Sequence, residues 1–407
     1  MKNDKSLIGR LFPIIILFSL YTLFQGWIPH WGLVILASLG IGGVVLLFGQ
    51  SKHFFSTPFF VLYLCFVFFV LLNIFIGDDY WCKKSFFQLT SVLLMMLDSL
   101  LALRFYISPQ QETNGRRLVN MVFIIIALST IATAILSIAI PQVIRFAMMD
   151  ENQEELLHQL YRSGMSNYYL PHAIPVIVPA LVLYLKNGVT KGKRLVVIFI
   201  LLASISLVYF SGAMTALLLT VLALFGSFLI SFVKKRNHIL GIILLFAIFS
   251  PILFNQDLLL KSLESIEKKI GEDNYFYDKI IDFENSLSGY DNTGDIDVRS
   301  SLYEDSWNGF LSNPLFGTDA ELGGHSTNLD FLASMGIIGF IPYSLLLLYV
   351  FIWTKKRLPQ MSVPYYAIGY FLGFIMLCIK SMNTMEMWFF LFAFLPILSK
   401  ESVKEYR

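Results

Sequence analysis

Three residues of this 407-residue chain pair reactive side chains with polar stretches set between apolar runs. They are Arg162 in RSGMSNYYLPHAIP, Arg299 in VRSSLYEDSWNGFLSNPLFG and His325 in GGHSTNLDFLASMGIIGF. A guanidinium presents a planar fork of donors that matches phosphate or carboxylate bidentately. An imidazole changes charge near neutrality and can take or give a proton. Gly323 and Gly324 let backbone approach a ligand closely. Ser326 or Thr327 caps the helix that follows, Asp330 suits its first turn, and a helix N-terminus favours anions. Taken singly, Arg162 merely complements a helix dipole and His325 is a satisfied interface histidine. Their surroundings favour chemistry.

Positioning these groups falls to membrane helices. Only 14% of the residues are charged, against about 25% in a soluble domain, and 56% are hydrophobic. Apolar runs long enough to cross a bilayer as helix recur throughout, and the alternation of a transmembrane barrel is absent. The expected fold is all-α and polytopic, with about 12 transmembrane helices. They fall at 11–28, 31–49, 58–77, 86–107, 118–140, 170–185, 195–211, 213–233, 239–254, 328–353, 363–380 and 385–399. The run after MKNDKSLIGR flows into another and reads as a retained helix. Of 30 Lys and Arg, 19 fall on one set of alternate connections and 10 on the other. The richer side holds both termini and is therefore cytoplasmic.

That leaves five regions: 1–140 with the first five spans, 141–169 as an outer loop, 170–254 with four spans, 255–327 as the main outer loop, and 328–407 with three spans and a cytoplasmic tail. Both outer loops are expected to be functional, because polar loops on a membrane scaffold usually are. In the first, DENQEELLHQLYRSG predicts a helix capped by Asp150 and closed by Gly164. In the second, QDLLLKSLESIEKKI predicts an amphipathic surface helix. A helix of about three turns then runs from Val298 to Asn313-Pro314, with Arg299 and Tyr303 neighbours at i and i+4. Asp98, deep in the fourth span, must face protein or water, while Arg104 snorkels to the interface. Lys380 and Glu386 bracket the last outer turn and join its rim. His172 lies near the outer surface on a helix that Pro171, Pro175 and Pro179 should bend. Cys65 and Cys378 fall in spans and Cys82 stands alone, so no disulfide forms within the outer loops and no metal spacing exists. The net charge of +2 averages a basic inner and an acidic outer face; nothing points to nucleic acid.

The segment Arg299–Phe340, with Asn313-Pro314-x-x-Gly317, Gly324-His325 and Gly336-x-x-Gly339, resembles the O-antigen polymerase and O-antigen ligase superfamily. The patch RSGMSNYYLPHAIP is similar to that family's Arg-x-Gly segment. The resemblance implies a glycosyltransferase without metal or other cofactor, in the bacterial inner membrane, with its active site on the periplasmic side. Donor and acceptor would be undecaprenyl-diphosphate-linked oligosaccharides held among membrane lipids. An acceptor hydroxyl attacks the anomeric carbon of the donor, and lipid diphosphate leaves. Arg162 and Arg299 would hold the diphosphate, and His325 would take the proton or donate to a phosphate oxygen. Substrate-binding roles fall to Arg145, Tyr303, Trp307, His172 and Ser326, with Tyr290 a further stacking surface for sugar. A chain-length regulator and a flippase would be partners. YFSGAMTALL lacks the Arg that many ligases carry in a middle span, and Arg145 is expected to fill that place. The leading expectation is a polymerase of O-antigen or capsule repeat units. The alternatives are a ligase acting on lipid A-core and, in another class, a transporter or flippase for lipid-linked sugars, which predicts internal repeats and short outer loops.

Overall fold

A computed structural model describes residues 2–28, 30–49, 57–76, 79–82, 86–108, 112–139, 159–187, 191–232, 264–265, 267–269, 277, 280–281, 295–319 and 322–403. Among the described residues 86% are helical and none lies in a strand, so the molecule is all-α. Seven described helices are long and apolar enough to cross a membrane, and Arg10–Leu20, Trp31–Leu47 and Val363–Ile379 are shorter apolar helices. The expected span 239–254, the loop residues 141–158 and most of the amphipathic helix lie outside the described residues; of that helix, Glu264, Ser265, Glu267, Lys268 and Lys269 are helical.

The chain begins α1 (Lys2–Leu20), α2 (Thr22–Trp27), α3 (Trp31–Gly49), α4 (Pro58–Ile76), α5 (Asp79–Cys82), α6 (Phe86–Ile107) and α7 (Glu112–Ala139). It continues α8 (Tyr169–Lys186), α9 (Lys191–Phe210), α10 (Met214–Phe232), α11 (Asp295–Ser312), α12 (Thr327–Lys355) and α13 (Val363–Ile379). A final rod joins α14 (Met385–Trp388) through a π-helical stretch, Phe389–Phe394, to α15 (Leu395–Glu401). The first expected span is broken: Tyr21 is extended, and α2 folds onto residues 162–165, where the Thr22 hydroxyl donates to the Met165 carbonyl.

Two rods form the centre. α8 is apolar nearly all round and buried along most of its length, as such a helix must be. It runs as one helix through Pro171, Pro175 and Pro179. Gly369 and Gly373, one turn apart on α13, let the two helices meet closely: a Cβ on Gly369 would stand 2.2 Å from the Val176 carbonyl oxygen. The final rod is enclosed more completely, with every residue from 386 to 402 buried. Pro396 has no N–H for the Phe392 carbonyl, and the wide π turn accommodates that loss. At its far end the Lys400 ammonium donates to the carbonyls of Tyr106, Ile107 and Ser108 at 2.8–3.0 Å. A cation there satisfies the orphan acceptors that end α6.

α11 and α12 are joined by a wedge. Gly336 interrupts α12 with φ 60° and ψ −175°, a backbone region open essentially to glycine. The turn after α11 enters the break: Ile337 N–H donates to Pro314 O at 2.9 Å, Ile338 N–H to Leu315 O at 3.2 Å, and Thr318 N–H to Ala333 O at 2.9 Å. Gly317, at φ 90°, comes so close that a Cβ would lie 2.0 Å from Ser334 O. Asn313-Pro314-x-x-Gly317 and Gly336 are thus two halves of one packing device. α11 is longer than the expected three turns, spanning 18 residues and ending at Ser312.

Candidate functional site

The turns around 323–327 and 379–384 meet at one end of α12, and α11 is their scaffold. Its Ser306 hydroxyl donates to Asp330 Oδ1 at 2.7 Å and accepts from Gly323 N–H at 3.1 Å. Tyr303 donates to the Ile379 carbonyl at 2.7 Å. Burial, reinforced by Asp330 and opposed by Arg299, raises the Tyr303 phenol above its ordinary pKa, so it stays a neutral donor. Thr327 N–H donates to Lys380 O at 3.1 Å, and the Thr327 hydroxyl accepts from Met382 N–H at 2.7 Å. These bonds hold the Gly323-Gly324-His325 turn against α11. Gly323 is small for packing: its Cβ would lie 1.9 Å from Leu302 O. Gly324 takes φ 68° with nothing within 4 Å of a built Cβ, so the turn is open at that position. His325, half-buried, faces Gly323 O from Nδ1 at 3.4 Å.

Arg299 is half-buried on α11, and its charge and that of Lys380 both reach the His172 imidazole. The turn after α13 is touched from both outer stretches, by Tyr303 at Ile379 and by Asn167 at Glu386. His172 itself is 1% exposed, enclosed by its neighbours near the start of α8. Its Nδ1 pairs with Tyr168 O at 2.9 Å, and its ring lies 4.2 Å from that of Tyr168. Ser326 is likewise enclosed and caps α12 by accepting from Leu329 N–H at 3.2 Å. Trp307 is 47% exposed and packs on Phe310 at 5.3 Å between ring centres. Arg145 and Tyr290 lie outside the described residues.

Arg162 stands at the close of a helix, as the sequence predicts. Gly164, at φ 81°, donates to Tyr161 O and Met165 to Leu160 O, the two bonds of a Schellman ending. The exposed guanidinium is steadied by α2: Nε donates to Gly26 O at 2.8 Å, and the cation lies 5.9 Å from the Trp27 ring. Gly26 is required, since a Cβ there would fall 2.4 Å from Arg162 N.

Beside Arg162 opens a cleft of about 430 Å³. Tyr161, Asn167 and Tyr169 form one wall, Gln25, Trp31 and Gly32 another, Phe87, Gln88 and Ser91 a third, and Ser381 and Asn383 through Glu386 the last. Glu386 is 2% exposed, deep in the wall where the sequence suggested a rim. Its carboxylate accepts from Asn167 Nδ2 at 2.5 Å and from the Thr384 hydroxyl, whose oxygen in turn accepts from Met387 N–H at 3.3 Å. Burial raises the neighbouring Tyr161 phenol, with Tyr169 and Glu386 adding to it, so that wall also presents a neutral hydroxyl. The roles of Asn167, Tyr161 and Tyr169 could not be read in sequence, because walls from four separate parts of the chain become one site only by packing. No protein-family model matches the chain, and no curated protein matches it.

Proposed function

We propose that the protein is a membrane glycosyltransferase that polymerises lipid-diphosphate-linked oligosaccharide repeat units into O-antigen or capsular polysaccharide. In this reading the chain crosses the membrane about 12 times, both termini are cytoplasmic, and the end bearing α11 faces the periplasm. The observation that carries it is the anchoring of α11, the helix of Arg299, through Tyr303 on Ile379 next to Lys380, with Arg162 braced on α2 next to the adjoining cleft. Cations brought from separate connections to one end of an apolar bundle suit a leaving lipid diphosphate, whose negative charge grows as the glycosidic bond breaks. His325, in the turn held against α11, takes the acceptor proton or donates to a phosphate oxygen. The lipid tail stays in the bilayer beside the exposed apolar residues Leu311, Leu315, Phe316, Ile337 and Ile338.

The test is a reaction of the purified full chain with undecaprenyl-diphosphate-linked repeat units, its products resolved by size. A ladder of lipid-linked oligomers is expected. Transfer to lipid A-core without a ladder would make it a ligase, and neither product would end the transferase reading.

A further inference from the structure

The cleft beside Arg162 differs in chemistry from the cationic cluster next to it. Among the described residues that line it there is no Lys, Arg or His, and the carboxylate is that of Glu386. Every contact named above for that carboxylate comes from a donor, so the group acts as an acceptor there. A phosphate or a sugar acid placed there would meet that acceptor and, among the described lining residues, no cation. The other walls carry four planar amide side chains, Gln25, Gln88, Asn167 and Asn383, alternating with the rings of Trp31, Phe87, Tyr161 and Tyr169. Amides both donate and accept, as ring hydroxyls do, and aromatic faces cover the C–H surface of a pyranose. The volume lies in the roughly 300–1,000 Å³ range of small-ligand clefts.

We propose that this cleft is a binding site for an uncharged sugar residue, with Glu386 accepting from its hydroxyls and selecting against uronic acids. Within the transferase reading, on which this further assignment rests, the cleft holds the acceptor glycan while the neighbouring cations hold the donor diphosphate. The carboxylate has lone pairs left after Asn167 and Thr384, enough for one more hydroxyl.

The experiment reads sugar binding without turnover. Full-length protein in detergent is mixed with methyl glucoside, galactoside and mannoside, and separately with the matching methyl uronides. Contact is read by saturation-transfer NMR. At least one neutral glycoside is expected to bind, and its uronide to bind about tenfold more weakly, the scale of one hydrogen bond to a charged group. Glu386→Gln, which keeps the shape, should narrow that discrimination. Gly32→Phe, whose added ring would extend from a Cβ 3.6 Å from Phe87, should abolish binding while the thermal melt confirms folding. Binding of a uronide equal to that of its neutral partner, no binding of any neutral glycoside, or binding that survives Gly32→Phe overturns the proposal. Failure of the transferase reading looks different: no oligomer ladder forms from lipid-linked units, yet neutral glycosides still bind in the cleft.

Discussion

At the residue scale, the two arginines are held differently and should fail in the same way. Arg162→Ala and Arg299→Ala are each expected to lower chain extension about a hundredfold or more, the cost of removing one preorganised donor from a developing anion. Lysine at either position should rescue poorly, because a point charge cannot fork onto diphosphate. Full-length polymer from either alanine variant would remove that residue from the site. His325→Ala should lower turnover more than donor affinity, and unchanged turnover would return it to a structural part. Tyr303→Phe removes the donor to Ile379 and should cost about 1 kcal/mol of stability. Because the folded-state pKa is raised, that contribution is complete below the ordinary phenol pKa and fades only as pH climbs through the raised value. The melting difference should therefore be equal at about pH 6 and about pH 8. Arginine and histidine stood out in sequence because cations are rare in so apolar a chain. Glu386 was visible there as a residue, though its depth was not, since burial depends on Asn167, 219 positions away.

At the element scale, helix lengths were legible wherever hydropathy alone decides them, as in the match of 86–107 to α6. The break at Gly336 was not, because the run on both sides is equally apolar and the wedge that fills it comes from before the helix. Gly336→Ala should cost roughly 1–3 kcal/mol from backbone strain, with a further clash against Leu315. Gly40→Ala, where a Cβ would meet nothing within 4 Å, is the control and should not destabilise. Thermal unfolding in detergent compares them; equal melting points would mean that the wedge contributes nothing. Gly164 behaved as the sequence suggests because a Schellman ending is local. The pairing of Gly369 with Val176 was hidden because it is a contact between distant helices.

For the whole molecule, sidedness is the property on which the proposed chemistry depends, and the asymmetry of Lys and Arg is the sequence argument for it. Glu304→Cys, at an exposed polar position on α11, should react with a membrane-impermeant maleimide from the periplasmic side. Lys356→Cys, at the opposite end of α12, should react only after the membrane is opened. The reverse pattern would put α11 in the cytosol and end the proposed function. Lys400→Met leaves three α6 carbonyls without their donor and should cost about 1–3 kcal/mol, seen as a lower melting point.

The burial of residues 386–402 bears on how the protein is made. Translation delivers the helices packed around this rod before the rod itself, so a nascent chain carries a hollow until residues 386–402 arrive. A ribosome that stops early releases a bundle with an unfilled axis and an uncapped α6, a state that membrane proteases would recognise by its looseness.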